Sequence, residues 1–230
     1  MSGMVHALIA LVQLTIGVFG VLRARRNPSP SIVLIVAVTF GLAYDNAVLA
    51  LGTVLDAGST LEALNTPRYW VHGLLTPLTM WAAFTALVAA GNPAGTSRAG
   101  KTTVAALTVG MVALGAWIDV FGLDLAPITE QGTTRYINEF DPLAGPPIAS
   151  VVTIVVVLTV GILLWRRVRW PWLAAGATVM FLAAAVPGPI LLLQSVGEVA
   201  FAGGLVLAIT RDWQSLSDSM APGAGSNRIT

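Results

Sequence analysis

An all-α, multi-pass membrane bundle of seven helices is the fold this sequence predicts, on three observations. Hydrophobic residues fill 56% of the 230 positions and charged ones only 10%, where a soluble domain carries about 25% charged residues. The apolar residues form continuous runs of bilayer-spanning length, without the dyad alternation of a barrel strand. The basic residues collect on one side once those runs are threaded back and forth. Net charge is +1 and cysteine is absent, which excludes disulfides, thiolate chemistry and iron–sulfur ligation.

Taken in order, the predicted spans are residues 4–22, 31–55, 69–90, 103–123, 147–165, 172–186 and 190–210. The first has its basic residues, Arg23, Arg25 and Arg26, behind it, and no small-residue cleavage site precedes them. It therefore reads as a retained helix, not a signal peptide. The second begins after Asn27-Pro28-Ser29-Pro30 and the fifth after a Gly/Pro stretch, both helix-start punctuation. The sixth and seventh are divided only by Pro187-Gly188-Pro189, which cannot continue a regular helix and predicts a tight turn. Six spans with one long broken helix is the alternative. Seven spans put ten Lys/Arg on one side and only Arg68 and Arg135 on the other, so the N-terminus is expected outside and the C-terminus in the cytoplasm. The expected organisation is one seven-helix domain over residues 1–211, a flexible cytoplasmic tail over 212–230, and a plasma (inner) membrane location.

Within these spans Asp45 is the most informative residue. It lies about 15 Å of helix rise below the outer end of its span, and a carboxylate at such depth costs at least ~2.5 kcal/mol, so it is expected to face a protein interior. On the same threading Glu198 lies about 12 Å below the outer surface, Gln13 shares that level, and His72 and Asp119 are only about 5–6 Å deep. Together they describe a funnel opening outward. Helical spacing aligns Arg68, His72 and Thr76 on one face, Gln194 and Glu198 on another, and His6, Gln13, Gly17 and Gly20 on a third. Gly41 and Gly52 flank Asp45, and Gly115 lies one turn from Asp119, permitting close helix approach or room for a ligand. A buried hydrogen-bonded pair of acids, with Gln13 or Asn46 as partner, would satisfy the same pattern without chemistry. His72 and Asp119 also read as helix-end groups, and Arg68 as an interface anchor or lid contact.

Two other features carry less. Residues 95–102, G-T-S-R-A-G-K-T, match the phosphate-binding loop pattern literally, but that loop needs a buried strand before it and a nucleotide-binding domain around it. Here it joins two membrane spans. The outer loop over residues 124–145 is read as a lid over the funnel or an ordered surface loop; its Glu139 and Asp141 fall far short of a cation's coordination sphere. With two histidines and no HExxH motif, no metal or other cofactor is expected. Lys101, the only lysine, lies outside the seventh span, which excludes a retinal Schiff base.

The stretch Gly41-Leu42-Ala43-Tyr44-Asp45 resembles the aromatic–acid pair in the second helix of the integral-membrane terpene cyclases, with Tyr-Asp where that family carries Trp-Glu. Glu198 matches the family's acid in the last helix, with Glu for Asp. The resemblance implies a seven-helix fold, cyclisation of a prenylated substrate by proton-initiated cation chemistry, Asp45 as proton donor and Glu198 as its partner. Two acids at one depth in an apolar cavity are also what protonating an alkene or epoxide requires. The expected site is therefore Asp45 and Glu198 as catalytic groups, with Gln13, Tyr44, Asn46, Arg68, His72, Asp119 and Gln194 lining the substrate. The expected partner is a membrane lipid or isoprenoid-like molecule and not nucleic acid. A proton- or cation-coupled binding or transport protein is the alternative function, and oligomeric state is not legible.

Overall fold

The computed structural model describes residues 2–140, 142–143, 147–186 and 190–213. Among the described residues it is all-α apart from one hairpin. Seven apolar helices follow in chain order: α1 (Ser2–Arg26), α2 (Pro30–Leu51), α3 (Ser59–Ala89), α4 (Arg98–Phe121), α5 (Ile148–Val168), α6 (Trp172–Ala185) and α7 (Leu191–Ile209). Six are long and apolar enough to cross a membrane by length and composition. The exception is α6, whose 14 residues rise about 21 Å. The expected Pro187-Gly188-Pro189 turn, Asp141 and residues 214–230 lie outside the described residues.

Local chemistry sets the helix ends. The Ser29 hydroxyl accepts from the Ile32 N–H ahead of Pro30 at the first position of α2, and Ser97 accepts from Gly100 N–H at the start of α4. Residues 95–102 are thus a turn entering a helix, with no strand before it. Helix α5 stops where Arg169 takes a left-handed conformation (φ 56°) and returns its N–H to Trp165 O, two residues before Pro171. After Trp172, α6 runs antiparallel to α7, with Gly176 against the Ala200 carbonyl and Gly204 against Leu173. Trp213, past the end of α7, is buried against Trp170 and donates its indole N–H to Ala208 O.

The bundle has two unlike ends. Arg23 and Arg26 of α1 and Arg211 beyond α7 line one cavity, with Arg167 beside Gly91 nearby. The opposite end carries the hairpin, β1 (Leu125–Glu130) paired antiparallel with β2 (Thr133–Asn138). Its two-residue turn, Gln131-Gly132, has both φ positive, at 53° and 74°, the type I′ geometry that matches strand twist. Between the basic end and mid-bundle the core is mainly apolar, with Met80, Leu87, Val157, Leu164, Leu173 and Leu205 each 1% exposed or less, and the buried hydroxyls of Thr39 and Thr108 return to their own helix at Ile35 O and Val104 O. Leu8, Leu11, Val33, Val109 and Leu182 point outward and are exposed, as side chains that face lipid would be.

One expected boundary changes. The third helix starts at Ser59, ten residues before the predicted 69, because Glu62, Asn65 and Arg68 lower the hydropathy of its first turns while Leu61 and Asn65 are buried there. Arg68 is therefore inside a helix, not at a surface edge. The outer loop over 124–145, expected as a lid or an ordered surface loop, contains the hairpin. Helix α3 is also irregular: a π-helical turn over Val71–Leu75 runs into a 3₁₀ turn at Thr76–Leu78. Pro77 has no N–H to return to the Gly73 carbonyl, and Thr76 N–H reaches back five residues to Val71 O instead. Helix α4 ends in a second π turn, Trp117–Phe121. The two meet where Gly73 and Gly115 put backbone on backbone.

A side chain at this crossing has nowhere to go, since a Cβ on Gly115 would overlap the Gly73 carbonyl. Gly115→Val is expected to destabilise the bundle by about 1–3 kcal/mol, seen as a lowered thermal midpoint of the detergent-solubilised protein. Gly110→Ala, on the same helix but facing open space, should leave the midpoint unchanged or slightly raised.

Candidate functional site

At the hairpin end, polar side chains from four helices close on one another through the middle of α2. Asp45 is 4% exposed, and its Oδ1 accepts from Arg68 Nε at 2.6 Å. The His72 Nε2 lies 3.5 Å from the same oxygen. Arg68 and His72 reach it together because they are one helical turn apart on α3. Gly41, which packs against Val71, lets α3 approach α2 closely enough. Asn65, one turn before Arg68, accepts from Arg68 Nη1 and from the Tyr136 N–H of β2, and donates to Leu61 O. The buried ion pair is thus tied to the hairpin through a single asparagine.

The next residue of α2 serves a second set. Asn46 is fully buried, and its Nδ2 faces three acceptors, Gln13 Oε1 (3.2 Å), Glu198 Oε2 (3.3 Å) and Leu42 O (3.3 Å). Two protons serve three oxygens, so one bond is shared. His6 Nδ1 lies 3.1 Å from Asn46 Oδ1 and 3.5 Å from Ser195 Oγ. Gln13 Nε2 is buried without a hydrogen-bond partner among the described residues. Helices α1, α2 and α7 are joined by this network, and it brings Glu198 to the Asp45 group. One ligand-capable atom each from Asp45, His72 and Glu198 falls within 4.8 Å of the others. Such spacing suits a cation, but the Arg68 guanidinium already occupies Asp45 Oδ1.

One member of the cluster reaches open space. His72 lines a cleft of about 200 Å³ between α3, α4, α5 and the chain beyond the hairpin, with Gly115, Asp119 and Asn138 among its polar lining and Leu114, Ile118 and Phe140 among its apolar lining. The Asn138 side chain donates to Ile118 O, and its backbone N–H donates to the Tyr69 hydroxyl, which itself donates to Tyr136 O. The hairpin is thereby fastened over α3 and α4 beside the cleft. Asp119 approaches α3 at Gly73, where a Cβ would meet its carboxyl.

Of the sequence-predicted residues, Asp45, Glu198, Gln13, Asn46, Arg68 and His72 share this connected cluster, and Asp119 faces it across the cleft. Tyr44 turns away: its hydroxyl donates to Leu64 O at 2.8 Å and ties α2 to α3. Gln194 makes no side-chain hydrogen bond among the described residues, and its neighbour Ser195 takes the place facing His6. Asn65 and Ser195 belong to the cluster without having been singled out, and His6, aligned with Gln13 but not assigned to the site, belongs to it too. The seven-residue spacing of His6 and Gln13 and the three-residue spacing of Asn65 and Arg68 were the available signals. Expectation and geometry part most sharply at Arg68, which is a buried counter-ion and not an interface anchor.

No protein-family model, no curated protein and no solved structure matches this chain.

Breaking the pair from one side should be far worse than removing both charges. Arg68→Leu leaves Asp45 buried without its counter-ion and is expected to cost about 3–5 kcal/mol, whereas the double variant Arg68→Leu/Asp45→Asn should recover most of that loss. Thermal unfolding of the four proteins of this cycle in detergent gives the coupling directly. Additive losses would show that the pair contributes nothing.

Proposed function

We propose that this chain is a membrane enzyme that moves a proton to or from an apolar or amphipathic small molecule, of isoprenoid or other lipid type, at the cleft beside His72. The observation that carries this reading is the convergence of two carboxyls and an imidazole within 4.8 Å, with only the imidazole among them lining the cleft. His72 is the group that meets substrate. Asp45, fixed by Arg68 at 2.6 Å, orients the imidazole through its Nε2 side, as a carboxylate orients a catalytic histidine elsewhere. Glu198, held by the Asn46 amide, is the second acid and lies within one water of the pair. Asp119 on the opposite wall would meet positive charge developing on the substrate. Proton-initiated chemistry of the terpene-cyclase kind is one reaction such a site would serve. The Arg68 contact supports an orienting role for Asp45 in place of the donor role which that resemblance implies, and leaves Glu198 its acidic role. The apolar core below the cluster disfavours a continuous ion path, which is why catalysis is preferred to coupled transport.

The same reading has seven spans, with α6 completing the count, the hairpin end outside and the basic end in the cytoplasm of a plasma membrane, following the positive-inside rule. Reporter fusions at Gly95 and Ser219 should both report cytoplasm, and one at Gly132 the opposite side. A shared side for all three sinks this orientation.

The catalytic reading is tested by purifying the chain in nanodiscs, identifying the retained lipid by mass spectrometry and presenting it as substrate. His72→Gln and Glu198→Gln should each keep the bound lipid but lower turnover at least ~100-fold, the scale of general acid–base catalysis. Asp45→Asn, combined with Arg68→Leu to preserve the fold, should lower kcat with little change in KM. Undiminished turnover in both His72→Gln and Glu198→Gln overturns the mechanism.

A further inference from the structure

The opposite end of the bundle holds a second cavity that the proposed chemistry does not use. About 420 Å³ in size, it is lined by Arg23, Arg26 and Asn27 from the end of α1 and by Thr210, Arg211 and Trp213 following α7; among the described residues Asp212 is the one acid in its wall. Three guanidinium groups and one carboxylate, that of Asp212, leave the cavity with a net positive charge that favours an anion. Arg211 lies against two aromatic rings. Its guanidinium lies 5.6 Å from the Trp170 ring and 5.5 Å from the Trp213 ring, and those two buried indoles pack edge to face at 5.3 Å. Arg23 lies 5.1 Å over the Phe19 ring. The N-terminal turn of α2, the positive end of its macrodipole, adds Ile32 to the lining. Trp172, exposed beside the adjoining cavity that Arg23 and Arg211 also line, is the kind of residue that marks headgroup depth.

The geometry points to a site for the phosphate group of an anionic lipid headgroup, held by Arg23, Arg26 and Arg211. Guanidinium groups bind phosphate oxygens bidentately, and a cavity at the helix ends takes a headgroup while its acyl chains follow the exposed apolar faces of α1 and α7. An ordinary positive-inside cluster is solvated and mobile. Arg23, Arg26 and Arg211 are exposed here too, but Arg211 lies against the Trp170 and Trp213 rings, which narrows its range before any anion arrives.

The test uses the full chain in nanodiscs of phosphatidylglycerol or phosphatidylcholine, with lipid retention read by native mass spectrometry and stability by thermal midpoint. Wild type should retain phosphatidylglycerol at least about tenfold over phosphatidylcholine, and lose that preference as salt rises. Arg26→Gln should reduce the preference about fivefold, the effect of one basic residue near an anionic surface, and Arg23→Gln/Arg26→Gln/Arg211→Gln should abolish it. Arg98→Gln/Lys101→Gln removes exposed charge at the same end but outside the cavity, and should leave the preference intact. An equal loss in that control reduces the effect to general surface charge and overturns the site. A rise in midpoint with inorganic phosphate in detergent, without preference between the lipids, assigns the cavity to a soluble phosphate and overturns the lipid. No preference in wild type, which needs no variant to fold, overturns both.

Discussion

The buried pair between Asp45 and Arg68 is the constraint on which the hairpin half of the molecule depends. A carboxylate at mid-helix in an apolar bundle is tolerable only if a cation is held against it, and the cation must itself be hydrogen-bonded to offset its desolvation. Each requirement recruits another part of the chain. Arg68 reaches Asp45 because α3 begins at Ser59; Asn65 accepts from the guanidinium; and the hairpin supplies the Tyr136 N–H that keeps Asn65 turned inward. Hairpin and ion pair therefore form one structural unit.

Close backbone contact does the corresponding work on the other side of α3. Gly73 and Gly115 let α3 and α4 touch, and each helix relaxes into a π turn there. A π turn widens the helix by one residue and re-aims the side chains it carries. His72 sits on the first and Asp119 on the second, so a packing device of two glycines also sets the two groups that face each other across the cleft. Asn46 has the matching role for α1 and α7. Because successive residues on a helix point about 100° apart, Asp45 and Asn46 hold two separate networks from adjacent positions, and Glu198 joins them.

Polarity is distributed with a purpose that the bundle's length makes plain. Ionisable groups of the helices collect toward the hairpin, the middle is filled by side chains such as Met80, Leu164 and Leu173 that exclude water, and arginine returns only at the basic end, stacked on aromatic rings. An enclosed, water-poor setting strengthens every electrostatic contact within the hairpin-end cluster. The arginines at the far end can meet headgroup phosphates without competing with it.

Much of this was legible in the sequence. Composition and continuous apolar runs determined an all-α membrane-type bundle, since only a helix satisfies its own backbone in that setting. The cost of burying charge marked Asp45, helix rise along the threaded spans placed Glu198 and Gln13 at its level, and Asn46 was an expected partner; the structure brings the four together. Hydropathy failed at the start of α3, because a polar face buried under a hairpin has the composition of a loop. It failed again at the hairpin, where Gln131-Gly132 is a weak turn signal beside two short strands. Which polar group meets which was decided by tertiary structure alone. That Arg68 pairs with Asp45, that Ser195 and not Gln194 faces His6, and that Tyr44 turns to Leu64 depend on how far each helix is rotated and how closely glycines let it approach, and periodicity within one helix carries no information about its neighbour's rotation.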